Sequence, residues 1–146
     1  MKAIFEEGIA TGQATFEAAA PSWEQWDDAH FGGLVAEDHG EVLGWAALTP
    51  YSPRPCYAGV AEESVYVAAR ARGRGLGRAL LRGLIDESER SGIWTLLAGV
   101  FPENRASVTL HLACGFRAVG MYERIGRLNG NWRDVLLLER RSEVIR

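Results

Sequence analysis

The 146-residue chain is long enough for one domain with a buried core, so we expect a single domain over residues 1–146. Its 47% apolar and 24% charged residues are typical of a soluble globular protein, and it contains neither a membrane-spanning apolar run nor a signal-peptide pattern. A net charge of −3 argues against nucleic acid as the main partner, and the two cysteines, Cys56 and Cys114, favour a reduced, cytoplasmic protein.

The first part of the chain predicts two short helices. Residues 2–8 suit a helix, and the small and polar residues 9–15 suit a loop. Ser22 is expected to begin a second helix, because Gln25 lies three positions later, at the spacing of a capping box.

A β-hairpin and another strand are predicted next. Residues 34–37 and 41–48 flank Asp38-His39-Gly40, which is a turn sequence between two apolar runs. The prolines at 50–55 exclude a central strand there, and residues 61–67 form the following strand.

The second half of the chain predicts a long amphipathic helix and three more strands. The helix opens at Gly75 and ends at Ser91, with one apolar face. The remaining predicted elements are a buried strand at 93–100, a short helix that Asn104 caps and Gly115 ends, and strands at 116–125 and 132–140 joined by a turn at 126–131. Strands with inserted helices indicate an α+β or α/β fold with a mixed sheet.

A glycine–arginine turn between a strand and a helix is the most informative feature. The segment Arg72-Gly73-Arg74-Gly75-Leu76-Gly77 follows the apolar strand end at 64–67 and opens the long helix. The first N–H groups of a helix lack partners within it, and glycines let the backbone close on a phosphate. The turn therefore predicts a site for a phosphorylated cofactor, whereas a solvated arginine face is the alternative.

Two common phosphate-binding motifs do not fit this turn. A nucleoside triphosphate loop needs a lysine after its last glycine, and the only lysine of the chain is Lys2. A dinucleotide fingerprint would need its third glycine at position 78, which is Arg78.

Four segments together resemble the GNAT superfamily of N-acetyltransferases. Residues 65–77 resemble its pyrophosphate motif, and Asn104 to His111 with Cys114-Gly115-Phe116 resembles its downstream helix. Glu62-Glu63-Ser64-Val65-Tyr66-Val67 and Gly130-Asn131-Trp132-Arg133-Asp134 are similar to segments of the phosphinothricin and methionine sulfoximine acetyltransferases. The resemblance implies an α+β, three-layer fold with a mixed, largely antiparallel central sheet flanked by helices, here without the family's first strand.

The resemblance also implies where the cofactor binds. Acetyl-coenzyme A (acetyl-CoA) would lie between two splayed central strands as co-substrate, with its pantetheine arm along one strand and its pyrophosphate on the turn. No metal is expected. The implied cofactor-binding residues are Val65, Tyr66, Val67, Arg72, Gly73, Arg74, Gly75, Leu76, Gly77, Arg78, Asn104 and Ser107.

The catalytic residues implied by the resemblance are Glu62 and His111. Glu62 aligns with the general base of the family, with neighbouring Glu63 as a rival, and an exposed strand-end acid is the alternative reading of either. His111 stands where a thiolate-protonating residue is found, or is a satisfied, partly buried histidine. Cys114 suggests a covalent route in principle, but packing beside a helix-ending glycine is the better interpretation.

The acceptor implied by the resemblance is a small amino acid or analogue, handled by a homodimer. The candidate acceptor-binding residues are Tyr51, Arg54, Tyr57, Phe16 and Trp132, and each also fits a core or rim position. The chain departs from the family at Gly59, where an aromatic residue is common, at Val60, where threonine is usual, and at Leu128, where lysine is usual.

Three other functions remain open from the sequence. One is an acetyltransferase for another amine, such as a polyamine, an antibiotic or a protein N-terminus. Another is a non-catalytic acyl-CoA-binding module. A nucleic-acid-binding protein that uses the arginine-rich helix is disfavoured by the sequence pI near 5.6.

Overall fold

The computed structural model describes residues 1–146, which form six strands, four α-helices and two short 3₁₀ turns. The helices are α1 (Lys2–Thr11), α2 (Trp23–Ala29), α3 (Leu76–Arg90) and α4 (Arg105–Ala113). The strands are β1 (Gly32–Asp38), β2 (Glu41–Pro50), β3 (Val60–Val67), β4 (Thr95–Val100), β5 (Arg117–Leu128) and β6 (Asn131–Arg141). None of the helices combines the length and the apolar character that crossing a membrane would require.

The six strands form one sheet in the order β1-β2-β3-β4-β6-β5. Every neighbouring pair is antiparallel except β3 and β4, which are parallel. This confirms the predicted mixed, largely antiparallel sheet. Strands β1 and β5 stand at the two ends of this order and form the edges of the sheet.

The two central strands separate after a short stretch of pairing. The paired residues are Val60 with Thr95, Ala61 with Leu96 and Glu62 with Leu97. Beyond Glu62, β3 continues to Val67 and β4 to Val100 without pairing to each other, although β2 still pairs with β3 as far as Val67. The sheet therefore contains an open cleft between β3 and β4.

A hydrophobic core lies on each face of the sheet. One core joins α3 to the sheet through residues such as Leu81, Leu84, Leu96 and Leu138. The opposite core, beside α1, contains Trp45, which stacks on Tyr66 with ring centroids 4.8 Å apart. Because side chains alternate along a strand, β2 and β3 each contribute to both cores.

Local signals located most element boundaries correctly. Ser22 and Gln25 form the predicted capping box, and α3 spans the predicted amphipathic segment. However, α1 extends beyond the predicted end, to Thr11.

The last hairpin differs from the prediction in its turn. The predicted six-residue turn at 126–131 is a two-residue turn at Asn129-Gly130, and β5 continues to Leu128. Both turn residues have positive φ, 50° and 80°, as tight hairpin turns require, so the strands can extend right up to them.

Candidate active site between strands β3 and β4

The glycine–arginine turn has the geometry of an anion site. Gly73 and Gly75 have φ values of 75° and 78°, a region that favours glycine, and Gly75 is the N-cap of the 15-residue helix α3. None of the N–H groups from Gly73 to Arg78 donates to a protein carbonyl or side chain. The turn therefore presents a run of free donors at the positive end of a helix dipole.

The arginines around this turn differ in their availability. Arg72, Arg74 and Arg78 are exposed and form no ion pair with a carboxylate. Arg70, by contrast, pairs with Glu41 at 2.8 Å. The three unpaired arginines are therefore the ones available to an anion.

Two adjoining cavities occupy the cleft. The larger, of about 350 Å³, lies between the end of α1, residues 65–67 of β3, Arg72 and Asn104. The smaller, of about 90 Å³, extends toward Gly99 of β4 and is lined by Ser107 and His111. Both are lined by Ala14, Val65, Tyr66 and Asn104. The structure thus brings together the predicted strand, Arg72, Asn104, Ser107 and His111.

Asn104 is already engaged at both ends of its side chain. Its Oδ1 accepts the N–H of Ser107 at 3.2 Å, which confirms the predicted helix cap. Its Nδ2 donates to the carbonyl of Gln13, in the loop after α1, at 3.1 Å. A bond from Asn104 to a cofactor would therefore have to be added to these bonds or replace one of them.

The two adjacent glutamates of β3 lie on opposite faces of the sheet. Glu62 is exposed and is the last β3 residue paired with β4. Glu63 is buried and points toward α4, in the same direction as Ala61 and Val65. Strand alternation alone separates the two carboxylates.

His111 is held by hydrogen bonds at both ring nitrogens. Its Nε2 lies 2.5 Å from Oε1 of Glu63, and its Nδ1 lies 2.6 Å from the carbonyl oxygen of Ser107. The two side chains of the Glu63–His111 pair are only 2% and 5% exposed. Burial by itself would lower the pKa of His111, but the hydrogen bond and charge of Glu63 and the bond to Ser107 outweigh it, so the pKa is raised.

This pairing was not predicted from the sequence. The signal that was available is the two-residue period of β3, which places Glu63 on the same face as Ala61 and Val65. What the sequence does not show is that α4 packs on that face with His111 directed at the strand.

The predicted acceptor residues fall into separate groups. Tyr51 packs edge-on against Tyr57 at 5.5 Å, and the Arg54 guanidinium lies 5.5 Å from the same ring. Arg54 and Tyr57 line a different cavity, of about 400 Å³, rather than the cleft. This group nevertheless lies near Glu62 along the sheet, because the N–H of Tyr51 donates to the carbonyl of Val60, two residues before Glu62 on β3.

Phe16 and Trp132 are not part of this group. Phe16 packs edge-on against Phe101 with centroids 4.8 Å apart, just after β4. Trp132 is about half exposed on β6 and carries the Arg127 guanidinium 4.1 Å from its ring. Neither lines the two cleft cavities.

A sequence model described as the acetyltransferase (GNAT) family matches residues 4–116. The chain belongs to the GNAT acetyltransferase family. This acetyltransferase is 40% identical to a phosphinothricin N-acetyltransferase of Alcaligenes faecalis, over 94% of this chain and 74% of that protein. It is 35% identical to an L-methionine sulfoximine/L-methionine sulfone acetyltransferase of Pseudomonas paraeruginosa, over 90% of this chain and 73% of that protein.

A solved structure of the same family extends the comparison to the acyl donor. It is a phosphinothricin acetyltransferase from Sinorhizobium meliloti in complex with acetyl-CoA, with a TM-score of 0.86 and 27% identity, covering 99% of this chain and 87% of that one. Acetyl-CoA is accordingly the acyl donor of this acetyltransferase. The free amides of the turn and the open cleft beside β3 fit a donor with a diphosphate at one end and an extended arm.

Proposed function

We propose that this acetyltransferase transfers the acetyl group of acetyl-CoA to the primary amine of a small amino acid or analogue, of the phosphinothricin or methionine sulfoximine type. Transfer is direct, and Glu62 is the general base. The observation that carries the proposal is the position of Glu62 at the closed end of the cleft, where the pairing of β3 with β4 stops. The names of the two similar enzymes support the acceptor class.

The spacing along β3 supports the proposed placement of the donor. Val67 lies five positions after Glu62, which corresponds to about 17 Å of extended strand. The glycine–arginine turn then follows at residues 72–77. A donor held by its diphosphate at the turn and lying along β3 would thus extend its thioester toward Glu62. The edge of β3 that faces β4 is unpaired from Val65 to Val67 and would bond the arm of the donor.

The proposed reaction consists of three proton transfers and the exchange of a carbon–sulfur bond for a carbon–nitrogen bond. The acceptor ammonium loses a proton to Glu62, directly or through water, and the amine nitrogen attacks the thioester carbonyl carbon. A free backbone N–H on the edge of β3 that faces the cleft stabilises the tetrahedral oxyanion. When the carbon–sulfur bond breaks, the thiolate takes up a proton, and the nitrogen gives its second proton to solvent, which leaves a neutral amide.

The acceptor is proposed to bind on the side of the cleft where β3 begins. There the Arg54 guanidinium would pair with an acidic group of the acceptor, while Tyr51 and Tyr57 form an aromatic wall. Phe16, beside Phe101, and Trp132, on the exposed β6 face, are proposed to shape the site from other directions.

A homodimer remains part of the proposal. Strand β5 is a sheet edge, and four of its apolar side chains are about half exposed, namely Val119, Met121, Tyr122 and Ile125. A second copy of the chain would cover this apolar edge. Sedimentation of the protein with and without an Ile125→Glu substitution tests this, since an edge-mediated dimer dissociates in the variant. The cytoplasmic location likewise remains a prediction.

An amine panel tests the proposed function. Acetylation is followed with methionine sulfoximine, methionine sulfone and phosphinothricin, beside a polyamine, an aminoglycoside and a peptide with a free N-terminus. We expect the amino acid analogues to be the best acceptors. Preference for another amine overturns the acceptor class, and binding of acetyl-CoA without any acetylation would support a non-catalytic binding module instead.

The role of Glu62 is tested by Glu62→Gln. We expect turnover to fall by about 10²- to 10⁴-fold while acetyl-CoA affinity is retained, because only proton transfer is lost. Glu37→Gln is the matched control, as it alters an exposed strand carboxylate outside the cleft in the same way. Unchanged turnover in Glu62→Gln removes Glu62 from the mechanism.

A further inference from the structure

The Glu63–His111 pair contains a proton that the two side chains must share. The Ser107 carbonyl can only accept a hydrogen bond, so Nδ1 of His111 carries a hydrogen. One further proton is then needed between Nε2 and Oε1 of Glu63, on either atom. An imidazolium with a carboxylate and a neutral imidazole with a carboxylic acid are therefore two forms of one unit that holds the same number of protons.

The two other acids that feel the charge of Glu63, Tyr66 and Cys114, both have raised pKa values. Burial raises the pKa of Tyr66 to about 12, with further contributions from the charges of Glu63 and Glu17. Burial also raises the pKa of the Cys114 thiol. The charges that act on Cys114 are those of Arg82, Arg78, Glu63 and Arg140. Neither Tyr66 nor Cys114 exchanges a proton with the pair near neutral pH.

One atom of the pair is left without a partner. The second carboxyl oxygen of Glu63, Oε2, is buried and forms no hydrogen bond. A buried oxygen without a hydrogen-bond donor lowers the stability of the fold. The presence of this oxygen in the cleft therefore needs an explanation other than fold stability. Both Glu63 and His111 line the 90 Å³ cavity between the separated strands, and the ring of Phe116 covers His111 edge-on at 5.1 Å.

We propose that Glu63 is a positioning residue that, together with His111, retains one proton in the cleft and passes it to the departing coenzyme A thiolate. This proposal rests on the proposed function. When the carbon–sulfur bond breaks, its electron pair stays on sulfur, and sulfur then takes the shared proton. The pair is left as a neutral imidazole and a carboxylate, and solvent returns the proton before the next cycle.

Without Glu63, His111 would retain this proton less strongly. Without a carboxylate partner, burial disfavours the charged imidazolium, whereas Glu63 compensates its charge directly. Whether the pair retains this proton therefore depends on Glu63, which lies on the opposite face of β3 from the proposed base Glu62.

The first experiment measures the pair in the resting protein, without any acceptor. Nitrogen-15 NMR of the His111 ring in the whole chain is recorded across pH in the wild type, Glu63→Gln and Glu62→Gln. We expect the wild-type ring to keep both protons to a higher pH than a histidine with the ordinary pKa of 6.5, Glu62→Gln to match the wild type, and Glu63→Gln to lose a proton at lower pH. A wild-type His111 that titrates at its ordinary value overturns the proposal even if acetylation is confirmed.

The second experiment measures turnover across pH. We expect the alkaline fall of kcat to shift to lower pH in Glu63→Gln, with KM for acetyl-CoA unchanged from the wild type. A lowered kcat with an unshifted profile indicates a packing role and also overturns the proposal. If no amine is acetylated, the proposed function fails, and the NMR titration still decides whether the pair holds the proton.

Discussion

The indole ring of Trp94 lies directly over the Cα of Gly59. A Cβ built on Gly59 would be 2.0 Å from Cε3 of Trp94, and the Trp94 N–H donates to the Gly59 carbonyl at 2.7 Å. The aromatic group expected at position 59 from the resemblance is thus supplied from the start of β4 instead. This contact joins the loop that carries Arg54 and Tyr57 to the strand that forms the other wall of the cleft.

Gly59→Ala is expected to destabilise the protein by about 1–3 kcal/mol, because the added methyl group overlaps the indole ring of Trp94, whose backbone N–H is bonded to the Gly59 carbonyl. Denaturant unfolding measures the change. Gly120→Ala is the matched control, since a Cβ there meets no atom within 4 Å. Equal stability of the two variants would show that Trp94 moves aside easily.

Gly75→Ala is expected to weaken acetyl-CoA binding as well as stability. Gly75 has φ 78° at the start of α3, where an alanine costs about 1–2 kcal/mol and relaxation would turn the free amides away from the ligand. Gly92→Ala, at φ 80° outside the cleft, imposes similar strain. Calorimetric titration should show reduced affinity in the first variant only, and equal affinity would argue against the turn as the diphosphate site.

The stability of the protein is expected to fall as pH rises above neutrality. The folded pKa of His111 is raised above its ordinary value of 6.5, so its contribution is complete below about pH 6.5 and is lost as pH rises through the folded pKa. Denaturant unfolding at several pH values measures this dependence. It should be absent in His111→Gln and retained in His39→Gln, because the His39 side chain is 95% exposed. A wild-type stability that is flat over this range would contradict the raised pKa.

The two cysteines are expected to react at very different rates with a thiol reagent. Cys56 is exposed, whereas Cys114 is buried and burial raises its pKa, which lowers its thiolate fraction. One thiol should react rapidly in the native protein and the other only after unfolding, and Cys56→Ser should abolish the rapid phase. Rapid reaction of Cys114 would contradict the packing role and support Cys114 as a covalent nucleophile. The Cys56→Ser variant is also the suitable background for assays of coenzyme A release by thiol reagents.

The parts of the site that could be predicted from the sequence are those that depend on residues close together along the chain. The strand, turn and helix from residue 64 to 91 are set by local chemistry, and so are the caps at Ser22 and Asn104. The pair of Glu63 with His111 joins residues 48 positions apart, and it depends on how α4 packs against the sheet. Likewise, residues 126–128 continue a strand because β6 pairs with them, which outweighs the turn tendency of Gly126.

Three residue pairs between β3 and β4 are all the strand pairing that connects the two halves of the sheet, β1–β3 and β4–β6. A molecule bound in the gap beyond Glu62 would therefore bridge two halves of the sheet that are otherwise joined by only these three residue pairs. Binding of the acyl donor in the gap then stabilises the folded protein. The thermal unfolding temperature therefore rises with the concentration of acyl donor.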